Sequence, residues 1–274
     1  MDTVNPLAVV TGASSGIGYE LAKQFAEHGY DLIIAAEDAA ITNAAATLVA
    51  QGARVEAVRA DLATAEGVEK LHGAITATRR PVAAAALNAG VGQGGPFLET
   101  ALADELEIID LNVTSTVHLA KRLLPGMVED GEGRMLITSS IASTMPGSFQ
   151  AVYNASKSFL QSFAQALQNE LKGTGVTVTS LMPGPTETEF FARADMLDTK
   201  VGQADKDDPA KVAAQGFEAM MAGKDKVVAG SWKTKAQGLA NRVLPDSVKA
   251  QAHRGMAEPG SGSGAEGRGP RADG

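Results

Sequence analysis

The 274-residue sequence contains no cysteine, one tryptophan and three tyrosines. Without cysteine there can be no disulfide, thiolate nucleophile or cysteine-ligated metal. Positive charge is also scarce: 24 Lys and Arg face 32 Asp and Glu, leaving a net charge of −8. That balance excludes a general nucleic-acid binder, because phosphates would go unneutralised. No run is long and apolar enough to span a bilayer, and "MDTVNPLAVVTGASSG" reaches a strand and a glycine loop too early for a cleavable signal peptide. His28, His72, His118 and His253 are scattered without metal-ligand spacing, so none is assigned to a metal or to catalysis. The G-x-x-x-x-G-K-[ST] loop of ATPases and GTPases is absent too. The expectation is a cytoplasmic protein with no metal, no membrane span and no nucleic-acid partner. Two N-x-[ST] triplets, at Asn112 and Asn154, read as coincidental.

What is present is an ordinary globular composition, 44% apolar and 20% charged. Seven short apolar runs recur at 7–11, 31–36, 54–58, 82–88, 134–139, 176–182 and 226–230. They are nearly continuous rather than alternating, as strands covered on both faces must be. Amphipathic stretches long enough for crossover helices separate them, which predicts an α/β fold: a doubly wound, parallel sheet with helices on both faces. A single domain over 1–254 is expected. The end, "GMAEPGSGSGAEGRGPRADG" (255–274), holds seven glycines and two prolines, and its composition predicts disorder. Before it, "TKAQGLANRVLPDSVKAQAH" reads as amphipathic helix for capping the core or packing subunits.

Two local patterns carry chemistry. "TGASSGIG" (11–18) follows the first strand and opens the first helix. Its glycines permit a tight turn and close backbone approach, and the helix N-terminus offers free N–H groups to a diphosphate. In "QAVYNASKSFLQSF" (150–163), Tyr153 and Lys157 sit one helical turn apart. A free phenol has a pKa of about 10; an ammonium on the same helix face is expected to lower it.

Taken with "NAG" (88–90), Asn112 in "LNVTS", Ser140 in "ITSS", "YNASK" (153–157) and "PGPTET" (183–188), these patterns resemble the ordered motifs of the short-chain dehydrogenase/reductase family over residues 7–190. The resemblance implies a seven-stranded Rossmann-type sheet, a tetramer or dimer of identical chains, and hydride transfer between a nicotinamide cofactor and a carbonyl or secondary alcohol. Tyr153 would be the general acid or base, Lys157 its partner and a holder of the nicotinamide ribose. Ser140 would hold the substrate oxygen, in preference to Ser139. Asn112 would interrupt a long helix and hold a relay water. Gly12, Ser14, Ser15, Gly16, Ile17 and Gly18 would cradle the diphosphate, Asp61 and Leu62 the adenine. Asn88, Ala89 and Gly90 would line the cofactor floor, and Pro183, Gly184, Thr186 and Thr188 its nicotinamide end. At the end of strand two, "AAED" places Glu37 where a carboxylate can face the adenosine ribose and repel a 2′-phosphate; this favours NAD over NADP. Met145, Phe149 and Phe190, with Phe191 and Met196, are expected to wall an apolar substrate pocket under a lid at 189–203. The alternative is a nucleotide-binding regulator or scaffold on the same fold, without turnover.

Overall fold

The computed structural model describes residues 4–240 and 244–262. Seven strands form one parallel sheet: β1 Leu7–Thr11, β2 Asp31–Ala36, β3 Val55–Arg59, β4 Val82–Leu87, β5 Gly133–Thr138, β6 Val176–Pro183 and β7 Lys226–Ala229. Their spatial order is β3-β2-β1-β4-β5-β6-β7. Each boundary falls within a residue of the apolar run that predicted it.

Alternate side chains of each strand enter opposite layers, the period-two geometry of a pleated strand. Leu7 and Val9 of β1 pack on one face, Ala8 and Val10 on the other. The first layer is completed by α3 (Ala65–Ala77), α5 (Ser115–Glu129) and α6 (Ala151–Glu170). The second is completed by α1 (Gly16–Glu27), α2 (Ala40–Ala50) and α9 (Pro209–Met221). Local signals set the helix starts. Thr64 accepts a bond from Gly67 N ahead of α3, and Asp208 accepts one from Ala210 N ahead of α9, whose first residue is Pro209. A short α4 (Leu102–Ile108) leads through a π-helical turn, Ile109–Thr114, into α5; this is the predicted interruption at Asn112.

The chain reverses direction of winding between β1 and β4. Helices leave to opposite faces there, so a crevice opens at the carboxyl ends of the central strands. Beyond β6 the chain makes two single turns, α7 (Phe190–Arg193) and α8 (Lys200–Gln203), before α9. After β7, α10 (Trp232–Ala240) and α11 (Asp246–Ala257) return over the crevice. Among the described residues no helix is long and apolar enough to cross a membrane.

The disorder expected from residue 255 onward is corrected for its first part. Gly255–Ala257 belong to α11. Beyond it, Gly260 N and Gly262 N donate to the Asp198 carboxylate and carbonyl, and Ser261 Oγ accepts from Lys200 N. Glycines that pack nothing through side chains are held here by their backbone. Residues 263–274 lie outside the described residues.

Candidate active site

A cleft of about 710 Å³ runs across the carboxyl ends of the strands. One end is built by the glycine loop. Gly12 has φ +65°, and a Cβ there would lie 2.9 Å from Ala89 Cα. A Cβ on Gly18 would overlap the Gly12 carbonyl oxygen. Ser15 caps α1 without using its side chain, so the N–H groups of the first turn are left for a ligand. Beside the loop, Ser14 Oγ donates to Asp38 Oδ2 at 2.8 Å, while Asp38 Oδ1 accepts from Ala40 N at 2.9 Å. The Asp38 carboxylate is thus engaged in the fold. Glu37 is exposed and lines the cleft, and its carbonyl accepts from Arg59 Nε at 2.9 Å.

The floor is tied together by residues from three strands. Thr11 Oγ1 accepts from both Asn88 N and Ala89 N, and Thr138 Oγ1 donates to Asn88 Oδ1 at 3.0 Å. These threonines carry no motif of their own; their position at adjacent strand ends is what makes them visible. Asp61 and Leu62 line the adjoining wall.

At the other end lie the four residues that the family pattern singles out. Lys157 is buried, its Nζ donating to the Thr138 carbonyl at 3.1 Å and lying 5.7 Å from the Tyr153 ring centroid. Ser140 Oγ accepts from Ala142 N at 3.1 Å and faces the Tyr153 phenol. Ser139 Oγ instead donates to the Lys157 carbonyl at 2.8 Å, which makes it a brace of α6. Asn112 is fully buried: Oδ1 accepts from Val91 N, and Nδ2 donates to Val91 O and Ser156 Oγ. One lone pair of Oδ1 is left for a water, and the side chain chiefly locks the β4 loop to α6. Asn112 and Asn154 are both buried, so neither triplet can carry a glycan.

The acid–base balance differs from the expectation. Desolvation pushes the Tyr153 phenol up to about 12, with the Ser140 hydroxyl pulling the other way. It pushes the Lys157 ammonium down to about 8. Burial disfavours both charged forms, and for the phenol it outweighs the lowering influence of the Ser140 hydroxyl.

The pocket wall is partly as predicted. Met145 and Phe190 line it, with the Phe190 ring 5.2 Å from that of Tyr153. Phe149 does not: its backbone is left-handed at φ +64°, and its ring packs with Phe191, Met196 and Ala257 beneath Arg254. Met196 is buried in the same cluster. Thr186 is buried and Thr188 sits over Gly16; both line the cleft with Pro183 and Gly184. Sequence reasoning missed Asp207, which accepts from Ser231 N at 2.8 Å and Thr234 Oγ1 at 2.6 Å and fixes α10 to the loop after β6. It also missed Gln150, Trp232, His253 and Met256, all of which line the cleft.

With this geometry in view, the comparisons agree. The "short chain dehydrogenase" family model matches residues 6–196. An uncharacterized oxidoreductase, YmfI of Bacillus subtilis, is 32% identical over 193 residues, covering 69% of this chain and 78% of the relative. Among solved structures, a short-chain dehydrogenase from Sphingobium yanoikuyae in complex with NADPH superimposes with a TM-score of 0.76, at 28% identity, covering 81% and 87% of the two chains. A short-chain dehydrogenase/reductase from Burkholderia phymatum in complex with NAD gives 0.79 at 24% identity, covering 92% and 96%; it shows the fold alone. The chain belongs to the short-chain dehydrogenase/reductase family of oxidoreductases.

Proposed function

We propose that the protein transfers a hydride between NAD(H) and an apolar carbonyl compound or secondary alcohol, with Tyr153 as the general acid or base. The observation that carries this reading is the continuity of one cleft from the glycine loop to the Tyr153 phenol. A bound nicotinamide dinucleotide supplies or takes the hydride. The chain's own part is to hold it and to move a proton. The glycine loop and the first turn of α1 fit a diphosphate: Gly12 and Gly18 let the loop pack tightly against Ala89 and upon itself, where a Cβ would collide, and the α1 N–H groups are left free. Asn88, Ala89 and Gly90 form the floor, and Thr186 and Thr188 close the nicotinamide end.

In the reducing direction the Tyr153 Oη–H bond breaks and its proton goes to the carbonyl oxygen, while hydride adds to the carbon; the product is the alcohol. Ser140 Oγ donates to the same oxygen and orients it. With its pKa pushed up to about 12 by burial, Tyr153 holds its proton at neutral pH, the form that the reducing direction uses. Oxidation runs the same steps backward and needs the phenolate, so it calls on the Lys157 ammonium to stabilise that charge. Asn112 acts as a positioning residue by locking α6 to the β4 loop.

The carboxylate of Glu37 at the end of β2 supports NAD over NADP, because it can accept from ribose hydroxyls and repels a 2′-phosphate. A homo-oligomer is supported by an apolar strip on α4, the π-turn and α6: Leu102, Leu106, Ile109 and Phe159 are 71, 48, 40 and 44% exposed, a pattern that marks a contact surface. The test is a panel of apolar ketones and secondary alcohols assayed with NAD(H) and NADP(H). Turnover of some ketones, faster with NADH, is expected; no turnover with either cofactor would overturn the reading.

A further inference from the structure

The substrate end of the cleft is closed by a helix that carries no family motif. Helix α11 is tied to the loop after β5 by three long-range bonds. Lys249 Nζ donates to Thr144 O at 3.1 Å, Ser148 Oγ donates to Ala250 O at 3.3 Å, and His253 Nδ1 lies 2.9 Å from Ser148 O. A carbonyl oxygen only accepts, so Nδ1 carries the proton in that last bond. Burial lowers the His253 pKa below its ordinary 6.5, so the ring is neutral near pH 7 and Nε2 is an acceptor. His253 is 7% exposed and lines the cleft. Among the described residues Nε2 has no protein partner, and it is not sealed from solvent.

Gln150, three residues before Tyr153, repeats the pattern. It too is 7% exposed and lines the cleft. Its side chain does not cap α6 and has no protein partner among the described residues. Two neutral, nine-tenths-buried residues thus offer polar atoms without a protein partner in a wall that includes Met145, Phe190 and Met256. Neither group is sealed from solvent, so a ligand that displaces water here has to replace its hydrogen bonds or lose affinity.

We propose that His253 and Gln150 together read a hydroxyl group on the substrate, so that the substrate class is a hydroxylated apolar ketone or the corresponding diol. The hydroxyl donates to His253 Nε2 and accepts from the Gln150 amide. A carboxylate fits poorly: Nε2 would repel it, and of the cleft cations near this end Lys200 is exposed, Arg193 is exposed and paired with Glu189, and Lys206 donates to the Gly202 carbonyl. The proposal rests on the oxidoreductase reading above and deepens it.

The test uses ketones paired with analogues bearing one hydroxyl, the spacing from the carbonyl being stepped along the series. Wild type is expected to prefer the hydroxylated member by about tenfold or more in kcat/KM at one spacing, because a site built to bond a hydroxyl rejects the analogue lacking it. His253→Asn can keep the bond to Ser148 but has no atom at the Nε2 position. It should reduce that preference about tenfold, with the change in KM. His253→Gln places a polar atom near the Nε2 position and should recover part of it. Binding is read separately from turnover by quenching of Trp232, the sole tryptophan and a cleft residue, as each ketone is titrated with cofactor present; the hydroxylated ketone should lose affinity in His253→Asn. No preference at any spacing in wild type, or equal losses for both members of the pair in both variants, would overturn the proposal and leave α11 a structural wall. Failure to turn over any ketone, plain or hydroxylated, overturns the oxidoreductase reading itself, and this proposal falls with it.

Discussion

Among the described residues Lys157 Nζ has one hydrogen-bond partner, the Thr138 carbonyl at 3.1 Å, and lies 5.7 Å from the centre of the Tyr153 ring. An ammonium with three donors and one acceptor, buried to 5% exposure, is a cost to stability. With its pKa lowered from 10.5 to about 8, the folded state binds fewer protons than the unfolded state between those values, so stability rises with pH across that window. Below pH 8 the full penalty applies, about 3 kcal/mol at roughly 1.4 kcal/mol per unit. Lys157→Met should therefore raise Tm at pH 7, by less than that figure implies because Thr138 O loses its donor. The advantage should vanish by about pH 10.5, while turnover is lost at every pH. Thermal melts across pH 6–11 check this; a variant less stable than wild type at pH 7 contradicts it.

Tyr153→Phe keeps the ring against Phe190 and removes the transferable proton. Cofactor affinity should change less than threefold and kcat should fall by at least a hundredfold, the usual scale of general acid catalysis. Retention of a tenth of the wild-type rate on a good substrate would sink the assignment.

Glu37→Arg should move cofactor preference toward NADP. Two unit charges about 4 Å apart interact by roughly 4 kcal/mol at an effective dielectric of 20. Exposure of Glu37 screens this, yet a third of it is still about tenfold. The ratio of kcat/KM for the two cofactors should shift by at least that factor, and added salt should blunt the wild-type discrimination. A wild type that already prefers NADP means that the Glu37 carboxylate turns away from the ribose and that neighbouring Arg59 governs the choice.

Removing residues 258–274 deletes the backbone bonds to Asp198 and the Ser261 contact with Lys200. These hold α8, whose Lys200 and neighbouring Val201 line the substrate end. Substrate KM should rise several-fold with little change in cofactor Kd. Cofactor titrations and steady-state kinetics on the truncated chain separate the two; an unchanged KM would show that α8 is held without them.

The sheet was legible because its five inner strands are buried on both faces, which leaves nearly unbroken apolar runs in the sequence, while the edge strands β3 and β7 are partly exposed. Tyr153 and Lys157 were legible because helical spacing converts directly into proximity. Their acidities were not, since burial is a property of the whole fold and outweighs the pair's own charge. Thr11, Asn88 and Thr138 meet only because β1, β4 and β5 are neighbours, a fact of topology. Phe149 misled because it stands near a motif, whereas its left-handed backbone sends the ring to α11. Asp207 and His253 lie outside the family's ordered motifs, where no pattern points to them.

The bonds between loop and α11 join positions 102 to 105 residues apart, and they give the two ends of the cleft different birth dates. During synthesis the residues of the dinucleotide half are all made by about residue 190, whereas the wall that carries His253 awaits nearly the last turn of helix. Because α9 packs on α1 behind the glycine loop, the cofactor half itself is completed only once that helix is made, and the wall that carries His253 follows later still.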